Sequence, residues 1–358
     1  MNAFEQLKTG SANDRLAAAH TLRYAITEYP LNPVLDIWYA AKDLIEPKNP
    51  PALRIAGWEL LTECVKHTSS TDLERKEYFQ TLTAPADPED FHLQLAALVD
   101  LTRVGRSLAG FDYELLPILT KWLDEAYNAA RAARRSASQS SKVVKTSTRK
   151  ATVAGEDQNF AQLFSFLQDV IKFSFNNANE TSTSALIETL LNICLNTSAE
   201  DDLKACIRTI DAIVTFGSIP NDKLQDCVRV LSSIYCLVPN LEKESWHTLS
   251  NLCKSHNGQA TVRILLDILR NSPNESVNDK DTSREVRGAL AALQKLLSKN
   301  AENGYPAVPY ALLVDGLANA IKVSESPRVY FSVLQLVNSL FDNGEGATHR
   351  IIVDEDWS

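Results

Sequence analysis

Two triplets of polar residues carry the clearest recognition chemistry in this chain. Lys204, Arg208 and Asp211 stand at i, i+4 and i+7, and His247, Asn251 and Lys254 repeat that spacing. On an α-helix, residues so spaced share one face. Two such faces form a ridge of charges and hydrogen-bonding groups, suited to a long partner helix such as a coiled coil presents. An ordinary solvated face has the same composition, so the pattern alone leaves both readings open.

Covalent chemistry finds no comparable constellation. The sequence holds no G-x-x-x-x-G-K-[ST] loop, no strand-borne G-x-G-x-x-G and no G-x-S-x-G elbow. His20, His67, His92, His247, His256 and His349 are scattered, with no H-E-x-x-H among them. Cys64, Cys194, Cys206, Cys227, Cys236 and Cys253 form no C-x-x-C pair, and most occupy apolar positions of helical patterns. They read as small buried hydrophobes in a reducing compartment, not as zinc ligands. Asp201-Asp202 suits a helix start, where carboxylates oppose the dipole, and Asp354-Glu355-Asp356 falls in a tail. No catalytic residue, metal or cofactor is expected.

The elements that must position the two triplets are helices. Leu186, Ile187, Leu190, Leu191, Cys194 and Leu195 make one apolar stripe. Leu203, Cys206, Ile207, Ile210, Ile213 and Val214 make a second, and Leu224, Cys227, Val228, Leu231, Ile234 and Tyr235 a third. Tyr330, Val333, Leu334, Val337, Leu340 and Phe341 make another near the end. The period is about 3.6 residues, that of amphipathic helices. No run of strict alternation competes, so essentially no sheet is predicted. Punctuation agrees: Asn32-Pro33 and Asp87-Pro88 read as helix starts, and Pro50-Pro51, Pro220, Pro239, Pro273 and Pro306 separate segments. The predicted helices span 11–29, 32–46, 51–67, 70–83, 87–104, 112–135, 157–175, 183–196, 200–216, 221–237, 241–256, 258–271, 282–299, 307–323 and 326–342.

In the second half, helix pairs begin near 183, 221, 258 and 307, a spacing close to the HEAT/armadillo period of roughly 40–47 residues. A compact bundle of this many helices would need several that are apolar all round, whereas most here have one apolar face. The expected fold is therefore all-α, an α-solenoid with a right-handed superhelix of HEAT/ARM-like antiparallel pairs. Its expected parts are N-terminal repeats over 1–135, a flexible basic insertion over 136–156, further repeats over 157–342 and an acidic tail over 343–358. Met1 precedes polar residues, so no signal peptide is expected, and no stretch approaches the roughly 20 apolar residues of a membrane span. The chain carries a net charge of −9, and Arg131 to Lys150 supplies seven basic residues with no acid, leaving −16 for the remainder. So acidic a body repels phosphate backbones, which argues against nucleic-acid binding.

Several stretches, in order, resemble the N-terminal domain of the tuberin family: IWYAAKDLIEP (37–47), PALRIAGWELLTECV (51–65), DVIKFSFNNANE (169–180), TIDAIVTFGSIPNDKL (209–224), SWHTLSNLCKSHNGQATV (245–262) and VRGALAALQKLL (286–297). The resemblance implies a cytoplasmic, non-catalytic scaffold whose partners are hamartin, through its coiled coil, and the remaining tuberin domains. Together they form a complex that stimulates GTP hydrolysis by Rheb and restrains TOR signalling, with recruitment to a lysosomal or vacuolar surface. No region resembles the GTPase-activating domain, which is expected elsewhere in a longer protein. A HEAT-type transport or adaptor protein binding peptide cargo is the alternative. Within the resembling stretches, Trp58 and Leu61 read as core, and Pro220 starts a helix after the turn at Gly217-Ser218. Asp211 reads either as a tie to the next helix or as exposed. Gly288 sits inside a helix at a cost of about 1 kcal/mol against alanine, which a close helix contact would explain.

The basic segment departs from the animal pattern and looks like a fungal-type elaboration. Arg134-Arg135-Ser136-Ala137-Ser138 offers a basophilic kinase a candidate site at Ser136 and Ser138, where a phosphate would weaken contact with an acidic partner. An ordinary solvated loop is the alternative reading of this segment; phosphopeptide mapping from cells separates the two, since a kinase site should show one of these serines modified and a map with both always bare removes it.

Overall fold

The computed structural model of the protein describes residues 2–29, 34–67, 72–103, 105–106, 112–139, 147–174, 179–272, 280–299, 304–324, 326–342 and 351–352. Sixteen α-helices lie among them, grouped in two units, Met1–Ala178 and Asn179–Ser358.

In the first unit, α1 (Ala3–Thr9) pairs with α2 (Ala12–Glu28) and α3 (Val34–Ala41) with α4 (Pro51–His67). The next pairs are α5 (Asp72–Leu82) with α6 (Phe91–Leu101) and α7 (Asp112–Gln139) with α8 (Ser147–Ser174). The even-numbered helices abut in succession as one row. In the other row, Trp38 of α3 lies against Tyr78 of α5, ring centroids 4.2 Å apart, and Lys76 of α5 reaches Glu114 of α7 at 3.8 Å. This is the stacking of a solenoid: each helix buries one stripe against its pair-mate and its row neighbours. On α2 the buried stripe is Ala18, Ala19, Leu22 and Ile26, and on α4 it includes Leu53, Ala56, Leu60, Leu61 and Cys64. Each such leucine or isoleucine contributes roughly 1.5–3 kcal/mol on burial. The start of α2 is closed by a capping box in which Ser11 and Asp14 satisfy each other's backbone N–H groups.

Polar packing also joins these pairs. Arg54 of α4 is buried and donates from Nε to Asp90 Oδ2 at 2.7 Å, from Nη2 to Asp90 Oδ1 at 3.3 Å and from Nη1 to the Asn49 carbonyl at 3.0 Å. Asp90 closes the 3₁₀ turn Pro88–Asp90 that leads into α6 and is itself buried. Asp87 adds a longer ion pair at 3.4 Å. The two-pronged bond to Asp90 holds the guanidinium charged and raises its pKa.

The second unit contains α9 (Glu180–Asn196), α10 (Glu200–Phe216), α11 (Asn221–Leu237), α12 (Glu242–Lys254), α13 (Gly258–Arg270), α14 (Lys280–Leu297), α15 (Tyr310–Val323) and α16 (Pro327–Asp342). One row runs α9, α11, α14, α16 and the other α10, α12, α13, α15. The chain thus stays in one row between α12 and α13, so the last two pairs are entered from the opposite side. The turn there is three residues, and at Gly258 a Cβ would lie 2.1 Å from the Cys253 carbonyl oxygen, so only glycine fits. Asn257 ties the turn back by donating to the Ile219 carbonyl at 3.3 Å. α14 then returns to rest on α11, where a Cβ on Gly288 would lie 2.7–2.8 Å from the Ser232 carbonyl group and Ser233 nitrogen. Among the described residues, β structure is confined to the parallel pairing of Val308–Pro309 (β1) with Ile351–Ile352 (β2).

The predicted helices recur with four differences. α1 is additional: seven residues show no periodicity, yet Leu7 is buried and Asn2 caps the start, so α1 completes the first pair. α3 stops at Ala41, because turn hydrogen bonds and the Asn49 side chain, which donates to the Asp43 and Leu44 carbonyls, hold 42–49 as a loop. Where an irregular insertion was expected over 136–156, α7 continues to Gln139 and α8 begins at Ser147; residues 140–146 lie outside the described residues. Alanines favour the end of α7, and α8, anchored at Phe160, Leu163 and Phe164, extends backwards cheaply because each added residue gains a backbone bond. α7 and α8 form one hairpin within the first unit, and the boundary between the units falls in the chain after Ala178. Finally, Leu195 is exposed in place of Ile193, and α16 buries Val329, Val333 and Leu336 while Tyr330 and Leu334 face out. In the acidic tail, 343–350 and 353–358 lie outside the described residues, and only the strand at 351–352 is seen.

Three substitutions test this packing. Gly288→Leu must push α14 off α11; overpacking of this kind costs about 1–3 kcal/mol, so the melting temperature should fall by several degrees, and an unchanged melt would show that the contact carries no weight. Asp90→Ala should lower it more than Asp87→Ala, since Asp90 makes the paired, buried bonds; an equal drop would place the clamp elsewhere.

Candidate partner-binding surface

The two polar triplets come together. α10 and α12 are row neighbours, and Lys204, Arg208 and Asp211 on the first face His247 and Asn251 on the second. Lys204 Nζ pairs with Glu244 Oε1 at 3.2 Å. Asn251 Nδ2 donates to Asp211 Oδ1 at 2.9 Å, and His247 Nε2 lies 3.6 Å from Asp211 Oδ2 and 3.3 Å from Asn251 Nδ2. Asp211 therefore ties one helix to the next. Lys254, at the far end, sets its ammonium 4.6 Å over the ring of Tyr305, which also stacks near Trp246 and bonds the Ser250 hydroxyl at 2.7 Å.

Between the two helices opens a groove of about 400 Å³, with Ile207 and Thr248 at its floor and Arg208, Lys243 and His247 along its edges. The first turn of α12 carries Glu242 and Glu244, where the dipole favours acids. Glu244 is held below the usual carboxylate range by backbone N–H donation at its own position and then by Lys204. Lys204, Asp211 and Asn251 are thus occupied within the fold, whereas Arg208, Lys243 and His247 are exposed. Spacing could not show this division, because it depends on which residue of the neighbouring helix lies opposite. Lys243 and Glu244 belong to the same site and went unread in sequence; their signal was their place in the first turn of the same helix.

The remaining sequence-derived residues lie elsewhere in the fold. Trp58 is fully buried on α4, its Nε1 without a hydrogen-bond partner. Pro220 is buried and caps the start of α11, its carbonyl accepting from Lys223 N at 3.0 Å. Gly288 lies at the α11 contact described above. Ser136 is exposed on the last turns of α7, and the Ser138 side chain lies outside the described residues.

Thiol chemistry finds no support: burial pushes Cys64 and Cys227 up to about 12, so neither offers a thiolate near neutral pH. Cys206 is likewise raised by burial, with Cys194 beside it. Among the described residues, no group of three or more His, Cys, Asp or Glu could hold a metal ion, and no helix is long and apolar enough to cross a membrane.

Comparison with known proteins places this architecture. A family model described as a domain of unknown function, DUF3384, matches residues 12–358. The tuberous sclerosis 2 protein homolog of Schizosaccharomyces pombe is 24 % identical over 322 residues, which cover 86 % of this chain and 22 % of that protein. An uncharacterised protein of the same yeast is 26 % identical over 195 residues, 54 % of this chain and 14 % of its own length. The chain thus spans less than a quarter of the curated relatives it matches. A solved structure of the TSC2 N-terminus superposes with a TM-score of 0.89 at 53 % identity, covering 96 % of this chain and 82 % of that one. The chain belongs to the DUF3384 family, as a fungal-type tuberin N-terminal domain.

Proposed function

We propose that this domain is a non-catalytic scaffold that holds hamartin, and that it thereby helps assemble the complex in which a separate tuberin domain stimulates GTP hydrolysis by Rheb and restrains TOR signalling. The observation that carries the reading is the match to the TSC2 N-terminus over almost the whole chain at 53 % identity. The helical array supports it physically: stacked pairs present long, nearly continuous polar faces, the geometry a coiled coil needs. The proposed contact surface is the α10/α12 seam, where Arg208, His247 and Lys254 meet the partner while Lys204, Asp211 and Asn251 hold the two helices in register. Work in the cytoplasm, with recruitment to a lysosomal or vacuolar surface as part of the complex, belongs to the same reading.

Co-expression with hamartin fragments and size-exclusion chromatography tests it. The wild-type domain should co-elute with a coiled-coil fragment; failure with every hamartin segment would overturn the assignment. Arg208→Glu combined with Lys204→Glu should weaken co-elution, and Arg208→Glu alone should do so with an unchanged melting temperature. Intact binding in both variants would remove the seam from the interface while leaving the scaffold reading in place.

A further inference from the structure

A second surface on the same unit has a different character. Between α14 and α16, beside the end of α11, lies a groove of about 510 Å³. Two arginines line it, Arg287 from α14 and Arg328 from α16, with Phe331, Ala291 and Cys236 supplying apolar wall. Among the described residues, no acid lines this groove and neither arginine has an ion pair. The Nε of Arg287 is buried and has no hydrogen-bond partner. The other three grooves described each contain their own carboxylates: Asp211 and Glu244 in one, Glu188, Asp226 and Glu285 in the next, Asp43 and Glu46 in the third. Among these four grooves, in a chain of net charge −9, the acid-free one with two arginines is the exception.

Three further features converge on it. Arg328 stands in the first turn of α16, which carries no acid, so its charge adds to the positive end of the helix dipole. A carboxylate arriving there would relieve both. Phe331, which lines the groove, is 62 % exposed, and Leu334, one turn further along the same helix and outside the groove's lining, is 60 % exposed, so an apolar strip beside the groove is open to solvent. At the surface, Gln294 of α14 reaches the Gln335 carbonyl of α16 at 3.5 Å, and both residues line the groove, linking its two helices.

We infer that this groove is a docking site for an acidic amphipathic helix of a partner protein. Its carboxylates meet Arg287, Arg328 and the N-terminus of α16, and its apolar side chains cover Phe331 and Leu334. Buried guanidinium–carboxylate pairing sets the orientation, and the apolar contact supplies area. The inference rests on the scaffold reading for the identity of that partner, not for the chemistry of the groove.

The test has two arms. In the first, a fluorescein-labelled synthetic helix with leucines at i, i+3, i+4 and i+7 and flanking glutamates is titrated into the protein and followed by anisotropy. Binding should weaken with added salt and drop at least about tenfold in Arg287→Glu/Arg328→Glu. Phe331→Ser should also weaken it. A peptide with lysines in place of the glutamates should bind the charge-reversed variant better than the wild type, which shows that variant to be folded and its groove intact. Equal binding of the glutamate peptide to wild type and variant, equal binding of glutamate and glutamine peptides, or no binding to the wild type overturns the inference. In the second arm, the same variant is co-expressed with hamartin. If it co-elutes as the wild type does, hamartin does not use this groove; if the wild type itself fails to co-elute, the scaffold reading falls while the peptide arm still decides the groove.

Discussion

In the second unit, the backbone of α14 rests directly on that of α11 at Gly288, and the order of every later helix depends on that contact. α12 and α13 follow one another in the same row, joined by a three-residue turn that closes only because residue 258 is glycine. The opposite row can then continue only if α14 comes back against α11, and the approach is so close that no side chain fits between Gly288 and Ser232. α16 packs on α14 and α15 on α13, so both inherit their positions from it. The helix-weakening effect of an interior glycine is offset by dispersion contacts along the two helices, which grow steeply as backbones approach.

The first unit reaches the same kind of stack by another device. Its helices alternate between rows without a switch, and the polar bond of Arg54 to Asp90 joins α4 to the start of α6. A buried charge is tolerable only when its partner and hydrogen bonds are complete, and here the guanidinium has a two-pronged carboxylate and a carbonyl. That demand makes the clamp specific: few other arrangements of the two helices would satisfy all of its donors.

A scaffold must spend some of its polar groups on itself and keep others for partners. The α10/α12 seam shows the division. Asp211 bridges to Asn251 and His247, and Lys204 to Glu244, which aligns the two helices and leaves Arg208, Lys243 and the outer edge of His247 toward solvent. In the groove between α14 and α16 the division is absent, since neither arginine has an acid to meet. The two surfaces therefore differ in kind: one is a mixed-charge ridge and the other a basic, apolar-rimmed groove.

Much of the fold was legible in the sequence, because apolar residues at a 3.6-residue period report which face of a helix must leave water, and prolines and caps report where helices stop. The helices of the second unit and the pair starts near 183, 221 and 258 follow from that alone. Periodicity is blind to neighbours, however. It could not see α1, whose seven residues complete barely two turns, and it assigned Leu195 and Leu334 to buried stripes because it weighs hydrophobicity and not what lies opposite. The same blindness explains the candidate sites. Spacing alone puts Lys204, Arg208, Asp211, His247, Asn251 and Lys254 on two helix faces, since it dictates azimuth. That these faces adjoin, that half of their groups are consumed in holding them together, and that Arg287 and Arg328, 41 residues apart, share one groove emerges only from the packing of the helices. Such pairings arise from the offset between stacked helices, a property of packing at which no single helix's sequence hints.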